Sequence, residues 1–402
     1  MPTAIVTGAT GILGGAIVDA LGRDPEKWTK VYAVSRSQKQ AYPANVEHSF
    51  IDLTSDAAEM AKQLQGVKVD YCFFAAYLQK DTEEEMSEVN GKMLRNFLDA
   101  LDITGASKKL KRVILTTGCK QYGVHLGQVK CPMEESDPWI DAPGRPPNFY
   151  YTQQRILVEK SNASGSYEWV VTYPNDVIGV AQNNFMNLAT SLGLYCAVSK
   201  ELGDELIFPG SEFFYTAFDC FTDSRLHADF NLWAAEAPGC GNQAFNVVNG
   251  DADSWHNLWP KIAKRFNCQI PKNQFKVDSR FEGLKMKLDD SAPINDMAAT
   301  LGLEGATFSN TLDQKIDLVK WSQNQGVIEA WKRVQQRHGL EEGVFEKATW
   351  SFLGFVLGRD YNIVISMAKA RKLGWVGYID NYEAFDIAFD ELENLKVLPP
   401  TG

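Results

Sequence analysis

The sequence is short of several things, and each shortage removes a class of protein. No uninterrupted apolar run reaches the roughly 20 residues that a membrane-spanning helix needs. Basic charge is in the minority: 40 Lys and Arg against 51 Asp and Glu give a net charge of −11, which does not suit a nucleic-acid surface. The seven cysteines (Cys72, Cys119, Cys131, Cys196, Cys220, Cys240, Cys268) are scattered without CxxC or finger spacing. That pattern points to reduced thiols in the cytosol rather than a disulfide frame or a zinc site. Five isolated histidines give no ligand spacing, and no metal is expected. The opening "MPTAIVTGATG" shows neither a basic start nor an apolar leader core, so a soluble cytoplasmic protein is expected.

What is present is a chain of 402 residues, 45% hydrophobic, enough for one generous domain or two modest ones. Its first third alternates short apolar runs with amphipathic stretches. "TAIVTG", "KVYAVSRS", "VDYCFFAAY" and "LKRVILTTG" read as buried strands, and "GILGGAIVDALG" as a helix between the first two. Continuous apolar strands separated by helices imply an α/β fold with a doubly wound parallel sheet, the Rossmann arrangement. "WVVTYPNDVIG" adds a further strand and loop. Beyond it the pattern changes: helices in "FMNLATSLGLYCAVSK" and "SWHNLWPKIAKRF" alternate with short strands predicted in "LIFPG" and "QAFNVVNG". Residues 1–180 are therefore read as an NADP-binding core. Residues 181–402 are read mainly as a smaller mixed α/β substrate lobe, with some segments returning to the sheet. The polar "RHGLEEGVF" is a loop leading to the last helices.

"VTGATGILGG" places Gly8, Gly11 and Gly14 after a strand and at the opening of a helix. Glycines there allow a tight turn and backbone approach to a pyrophosphate, and the helix N-terminus supplies unpaired N–H groups. The end of the second strand selects the cofactor. An NAD site usually has an acidic residue there, whereas this chain has Ser35, Arg36 and Ser37, which suit a phosphate; NADPH is expected over NADH. Asp52 and Leu53 fall where an adenine ring would rest, although Asp52 is equally suited to cap the following helix.

"NFYYTQQRILVE" opens a helix with two tyrosines, but the places where a reductase helix usually carries its Lys hold Gln154 and Arg155. The strand "RVILTTG" offers a replacement, because "CKQYG" follows it with Lys120 and Tyr122. A strand end on that side of the sheet faces the ligand crevice, so Lys120 and Tyr150 can meet there.

"TTGCKQYG", "NFYYTQQRIL", "FTDSRLHADFNLWAA", "NQAFNVVNGD" and "SWHNLWPKIA" together resemble the progesterone 5β-reductase and iridoid synthase family. "VNGKMLRNFLDAL" and "SMAKARKLGWVGYIDN" extend the resemblance over essentially the whole chain. These are atypical extended short-chain reductases that use NADPH to reduce activated C=C bonds. The resemblance implies Tyr150, the first Tyr of NFYY, as catalytic residue, with Lys120 of TGCK as its partner. Cofactor contacts are expected at Gly8, Thr10, Gly11, Ile12, Gly14, Ser35, Arg36, Ser37, Asp52, Leu53, Ala75, Tyr77, Thr117, Gly118, Tyr150, Pro174 and Val177. Two departures stand out: Tyr77 replaces a Trp common in the family, and "TYPNDVIG" replaces an Arg-Pro-Gly pattern at Tyr173, Asn175 and Asp176, keeping Pro174. Those positions are expected to line the cavity, so substrate identity does not transfer with the fold.

The expected chemistry is hydride delivery to the β-carbon of an enone or enal, with the Tyr150 hydroxyl stabilising charge on the carbonyl oxygen. Lys120 either favours tyrosinate or holds the ribose hydroxyls. A small hydrophobic carbonyl substrate would lie against Tyr77, Tyr122, Phe149, Phe185 and Met186, the last two also being candidates for plain core contacts. Tyr151 is the rival of Tyr150, His125 reads as a loop residue, and "DTEEEMSE" as a solvated helix face. Direct carbonyl reduction, cyclisation or isomerisation, and NADPH binding without reduction are the alternatives. A nucleotide-sugar epimerase is disfavoured, since it relies on Tyr and Lys on one helix. Stereochemistry, a place in specialised metabolism or detoxification, and a homodimer are left open.

Overall fold

The computed structural model describes residues 1–37, 41–181 and 186–401. Seven parallel strands form its main sheet: β1 (Thr3–Thr7), β2 (Lys30–Ser35), β3 (Val46–Phe50), β4 (Tyr71–Phe74), β5 (Arg112–Thr116), β6 (Glu168–Pro174) and β7 (Gln243–Val247). Their order is β3-β2-β1-β4-β5-β6-β7, so the direction of winding reverses between β1 and β4. The register sets Val6 beside Phe73 and Leu115 beside Val171. β1 and β4 carry uninterrupted apolar residues because both of their faces are covered: Ala4, Ile5, Val6, Cys72, Phe73 and Phe74 are all buried.

Helices α1 (Ile12–Gly22), α2 (Ala57–Gln63), α3 (Glu83–Ile103) and α4 (Phe149–Ser164) follow in chain order. α1 packs on the helix Ser224–Glu236, and α3 on α4. Because the chain winds in opposite directions from the switch point, right-handed crossovers put α1 and α3 on opposite faces. The strand ends at the carboxyl edge then converge on the crevice between them.

After β6 the chain builds a helical region over that edge. α5 (Leu188–Leu202) packs against the helix Gln325–His338, and Trp255, Trp259, Trp321 and Trp331 fill the interior. β7 then returns to the sheet edge beside β6. The strand predicted in "LIFPG" does not form. The N–H of Leu206 donates to the carbonyl of Gln269 at 2.7 Å and that of Phe208 to the Gln274 side chain at 2.6 Å, so no ladder is made. An antiparallel ribbon of Leu284–Lys287 with Thr311–Gln314 arises instead from polar sequence. Among the described residues no helix is long and apolar enough to cross a membrane.

Candidate active site

The glycine turn after β1 is built for close approach. Gly8 has φ +69°, and a Cβ there would lie 2.7 Å from the Ala75 carbonyl oxygen; one on Gly14 would lie 2.2 Å from that of Gly8. Gly11 precedes α1 without a side-chain acceptor, leaving first-turn N–H groups to the opening. At the end of β2 the Ser35 hydroxyl donates to the Ser37 carbonyl at 2.8 Å and lies 2.9 Å from His48 Nε2, while Arg36 is exposed. The glycine turn and the open helix start fit the pyrophosphate of a dinucleotide, and the end of β2 carries a guanidinium rather than a carboxylate. Asp52 is not a helix cap. Its carboxylate accepts from the N–H and hydroxyl of Thr54, at 3.0 and 2.8 Å, which lowers its pKa; Asp56 caps α2 through the Glu59 N–H. Leu53 beside it is buried.

A cavity of about 490 Å³ opens from this loop across the carboxyl edge of the sheet. Gly11, Ile12, Gly14, Ala75, Thr117, Gly118, Pro174 and Val177 line it, as do Lys120 and Tyr150. Tyr150 stands one residue inside α4. The α4 cap, Asn148, accepts from the Tyr150 N–H at 3.0 Å and donates to the Lys120 carbonyl at 2.9 Å, so one amide ties the helix start to the turn after β5. That link was missed in the sequence, although Asn before a helix is a cap signal. The Tyr150 hydroxyl sits over Gly118, where an added Cβ would come within 3.0 Å of it. Burial pushes its pKa far above the ordinary tyrosine value, so the phenol stays protonated.

Lys120 is held by a residue that sequence reading placed elsewhere. Its ammonium donates to both oxygens of Glu83 at 2.5 Å, and it lies 5.7 Å from the Phe149 ring centroid. "DTEEEMSE" is thus only partly a solvated face: Glu84, Glu85 and Glu88 are exposed, while Glu83 and Met86 line the cavity. Burial lowers the Lys120 pKa, and Glu83 works against that shift.

Tyr151, the neighbour of Tyr150, is a packing residue. Its hydroxyl donates to the Gln121 carbonyl at 2.6 Å, accepts from the Ile140 N–H at 2.9 Å, and its ring stacks on Trp139 at 4.7 Å. Gln154 joins a buried network, donating to Gln121 at 2.7 Å and accepting from the Tyr173 hydroxyl at 2.6 Å. Arg155 points to solvent with Asp141. Two expectations need correction here. Tyr122 does not line the cavity, because its hydroxyl donates to Asn246 at 2.6 Å and locks it toward β7. Tyr173 is likewise turned into the core, whereas Asn175 and Asp176 do reach the cavity.

Tyr77, Phe149 and Met186 line the cavity with Val124, Leu288, Phe352 and Phe355. Tyr77 and Phe149 stack with centroids 6.0 Å apart. Phe185 lies outside the described residues. One wall carries Arg359, which is 1% exposed and donates to both oxygens of Asp176; Asp219 lies 3.7 Å away. Burial first, and the Asp176 charge second, raise the Asp219 pKa well above the carboxylate range. His125 also lines the cavity, and its Nδ1 is buried without a hydrogen-bond partner among the described residues. Burial, helped by the Lys120 charge, favours its neutral imidazole over the imidazolium.

A seven-stranded parallel sheet, a glycine cradle at its switch point, and a Tyr and a Lys at one cavity define a Rossmann protein of the short-chain dehydrogenase/reductase type. Within that class the chain belongs to the family described as PRISE-like Rossmann-fold domain, which matches residues 4–278. It is 43% identical over 403 residues to an uncharacterized protein of Schizosaccharomyces pombe, covering 98% of each chain. It is 29% identical to an (S)-8-oxocitronellyl enol synthase of Camptotheca acuminata, over 98% of this chain and 93% of that one. A 3-oxo-Delta(4,5)-steroid 5-beta-reductase of Arabidopsis thaliana is 28% identical with the same coverage, 98% and 93%. Among solved structures, the Bordetella bronchiseptica enzyme WbmG in complex with NAD and UDP superposes with a TM-score of 0.59 at 12% identity. The superposition covers 99% of this chain and 96% of that one, and it speaks to the fold alone.

Proposed function

We propose that the protein is a cytoplasmic NADPH-dependent reductase of the activated C=C bond in a hydrophobic α,β-unsaturated carbonyl compound. In this reading residues 1–180 hold the cofactor and residues 181–402 mainly shape the substrate side. The observation that carries it is the opening of Tyr150 and Lys120 into one cavity of about 490 Å³ whose far wall is apolar at Leu288, Phe352 and Phe355, with the Arg359–Asp176 pair beside them. Membership of a family that includes relatives named as a steroid 5-beta-reductase and an enol synthase supports it.

The glycine cradle with Thr10 and Ile12, and Arg36 toward a ribose phosphate, would hold NADPH, which supplies the hydride when bound. Tyr150 keeps its proton through the neutral range and donates a hydrogen bond to the carbonyl oxygen of the substrate. Negative charge gathers on that oxygen as the β-carbon is reduced, so the bond strengthens toward the transition state, and the enolate takes its α-carbon proton from water on release to give the saturated carbonyl. Phe149, Met186, Phe352 and Phe355 keep water from the reacting carbons.

Enals, enones and cyclic ketosteroids incubated with NADPH provide the test, with loss of NADPH absorbance and product identity read together. Saturated carbonyl product is expected. Tyr150→Phe should lower kcat by about 10²-fold or more, as loss of an oxyanion donor does elsewhere. An allylic alcohol would move the assignment to carbonyl reduction. Tight NADPH binding without turnover of any compound would end the reductase reading.

A further inference from the structure

We propose that Glu83 is a positioning residue of this site, which anchors the Lys120 ammonium in the cavity wall and leaves Tyr150 as a neutral hydrogen-bond donor. The inference rests on the reductase reading above. Glu83 opens α3 directly after its cap, where the Thr82 hydroxyl accepts from the Glu85 N–H at 3.2 Å, so its backbone is fixed. Both carboxylate oxygens meet Lys120 Nζ at 2.5 Å. The two side chains are 17% and 30% exposed, against open solvent at Glu84 and Glu85.

The other charged and titratable groups at the cavity do not serve Lys120. Arg359 and Asp176 are spent on each other, Asp219 lies behind them, and His125 is neutral. Tyr77 and Cys119 are protonated because burial raises both. Glu83 is the carboxylate that pairs with Lys120 among the described residues.

The consequence concerns the phenol. A lone ammonium beside a tyrosine pulls it toward tyrosinate, which cannot donate a hydrogen bond. Here burial leads in raising the Tyr150 pKa, with Tyr77, Cys119 and then the Glu83 charge adding to it. Lys120 is therefore a fixed cation in the wall rather than an activator that strips Tyr150 of its proton. Glu83 contributes to that outcome by holding Lys120 Nζ with both carboxylate oxygens.

Without the Glu83 charge, Lys120 loses its proton at lower pH and Tyr150 ionises at lower pH. Glu83→Gln should move the alkaline limb of the kcat profile on an enone down by about one pH unit, a tenfold change in ionisation constant. Thermal stability should stay within about 2 °C, since partly exposed ion pairs contribute little, and Glu83→Asp should restore part of the profile. A second readout does not depend on turnover: reductive ¹³C-methylation of lysines, with the Lys120 resonance assigned by its loss in Lys120→Arg. That resonance should titrate about one unit lower in Glu83→Gln. Turnover with an unshifted profile, or an unshifted Lys120 resonance, would overturn the role of Glu83. A native chain without enone turnover but with a shifted resonance would keep Glu83 as the anchor of Lys120 and remove the reductase reading instead.

Discussion

Arg36 projects into solvent from the end of β2, flanked by Ser35 and Ser37, and the turn itself carries no acid. A charge-assisted hydrogen bond from a guanidinium to a phosphate is worth roughly 1.5–3 kcal/mol. Arg36→Ala should therefore weaken NADPH binding by about tenfold or more while leaving NADH within about twofold, both read by fluorescence titration. Equal losses for the two would show that Arg36 does not face the distinguishing phosphate. The positions of Gly8 and Gly14 at the turn after β1, and of Lys120 after the end of β5, were legible because short motifs mark them. Glu83 was not legible. "TEEEM" offers three acids in a row, and only the fold, by bringing the β5 turn against the start of α3, separates the one that meets Lys120 from the two in water. Tyr122 failed for the converse reason: an aromatic beside the motif suggested a cavity wall, but a buried hydroxyl needs a partner, and Asn246 on β7 supplies it.

Among the elements, α4 and the turn after β5 act as one unit through Asn148. Its side chain closes the first turn of the helix and holds the Lys120 backbone at the same time. Asn148→Ala should cost about 1 kcal/mol of stability from the lost cap. It should also lower kcat more than it raises KM, because Tyr150 and Lys120 lose their common reference. A melting-temperature drop with native kcat would confine Asn148 to capping. The central strands were read correctly because burial on both faces writes a continuous apolar run into β1, β4 and β5. β3 escaped detection: "VEHSF" mixes a charge, a His and an exposed Phe, as an edge strand can. The ribbon of Leu284–Lys287 with Thr311–Gln314 was missed because LKMK alternates apolar and basic residues over only four positions and its partner TLDQ does not.

At the scale of the molecule, the cavity is assembled from segments between Gly11 and Arg359. Its cofactor side comes from strand ends in the first half of the chain, where periodicity and motif agree. Its far wall comes from Leu288, Phe352, Phe355 and Arg359, which no local pattern connects to the glycine loop. That wall also holds the Arg359–Asp176 pair, placed where this chain departs from the pattern of the family it resembles. In the proposed reading substrate identity rests on this long-range assembly, and the chemistry on the turn after β5 and the start of α4. There the Tyr150 hydroxyl takes up the charge that develops on a carbonyl oxygen while hydride arrives at the β-carbon. NADPH carrying deuterium at C4 of the nicotinamide, prepared in both stereochemical forms and incubated with a cyclic enone, reads this directly by NMR of the product. Deuterium from one form on the β-carbon of a saturated ketone is expected. Deuterium on the carbonyl carbon, or product formed without label from either form, would contradict conjugate reduction at this site.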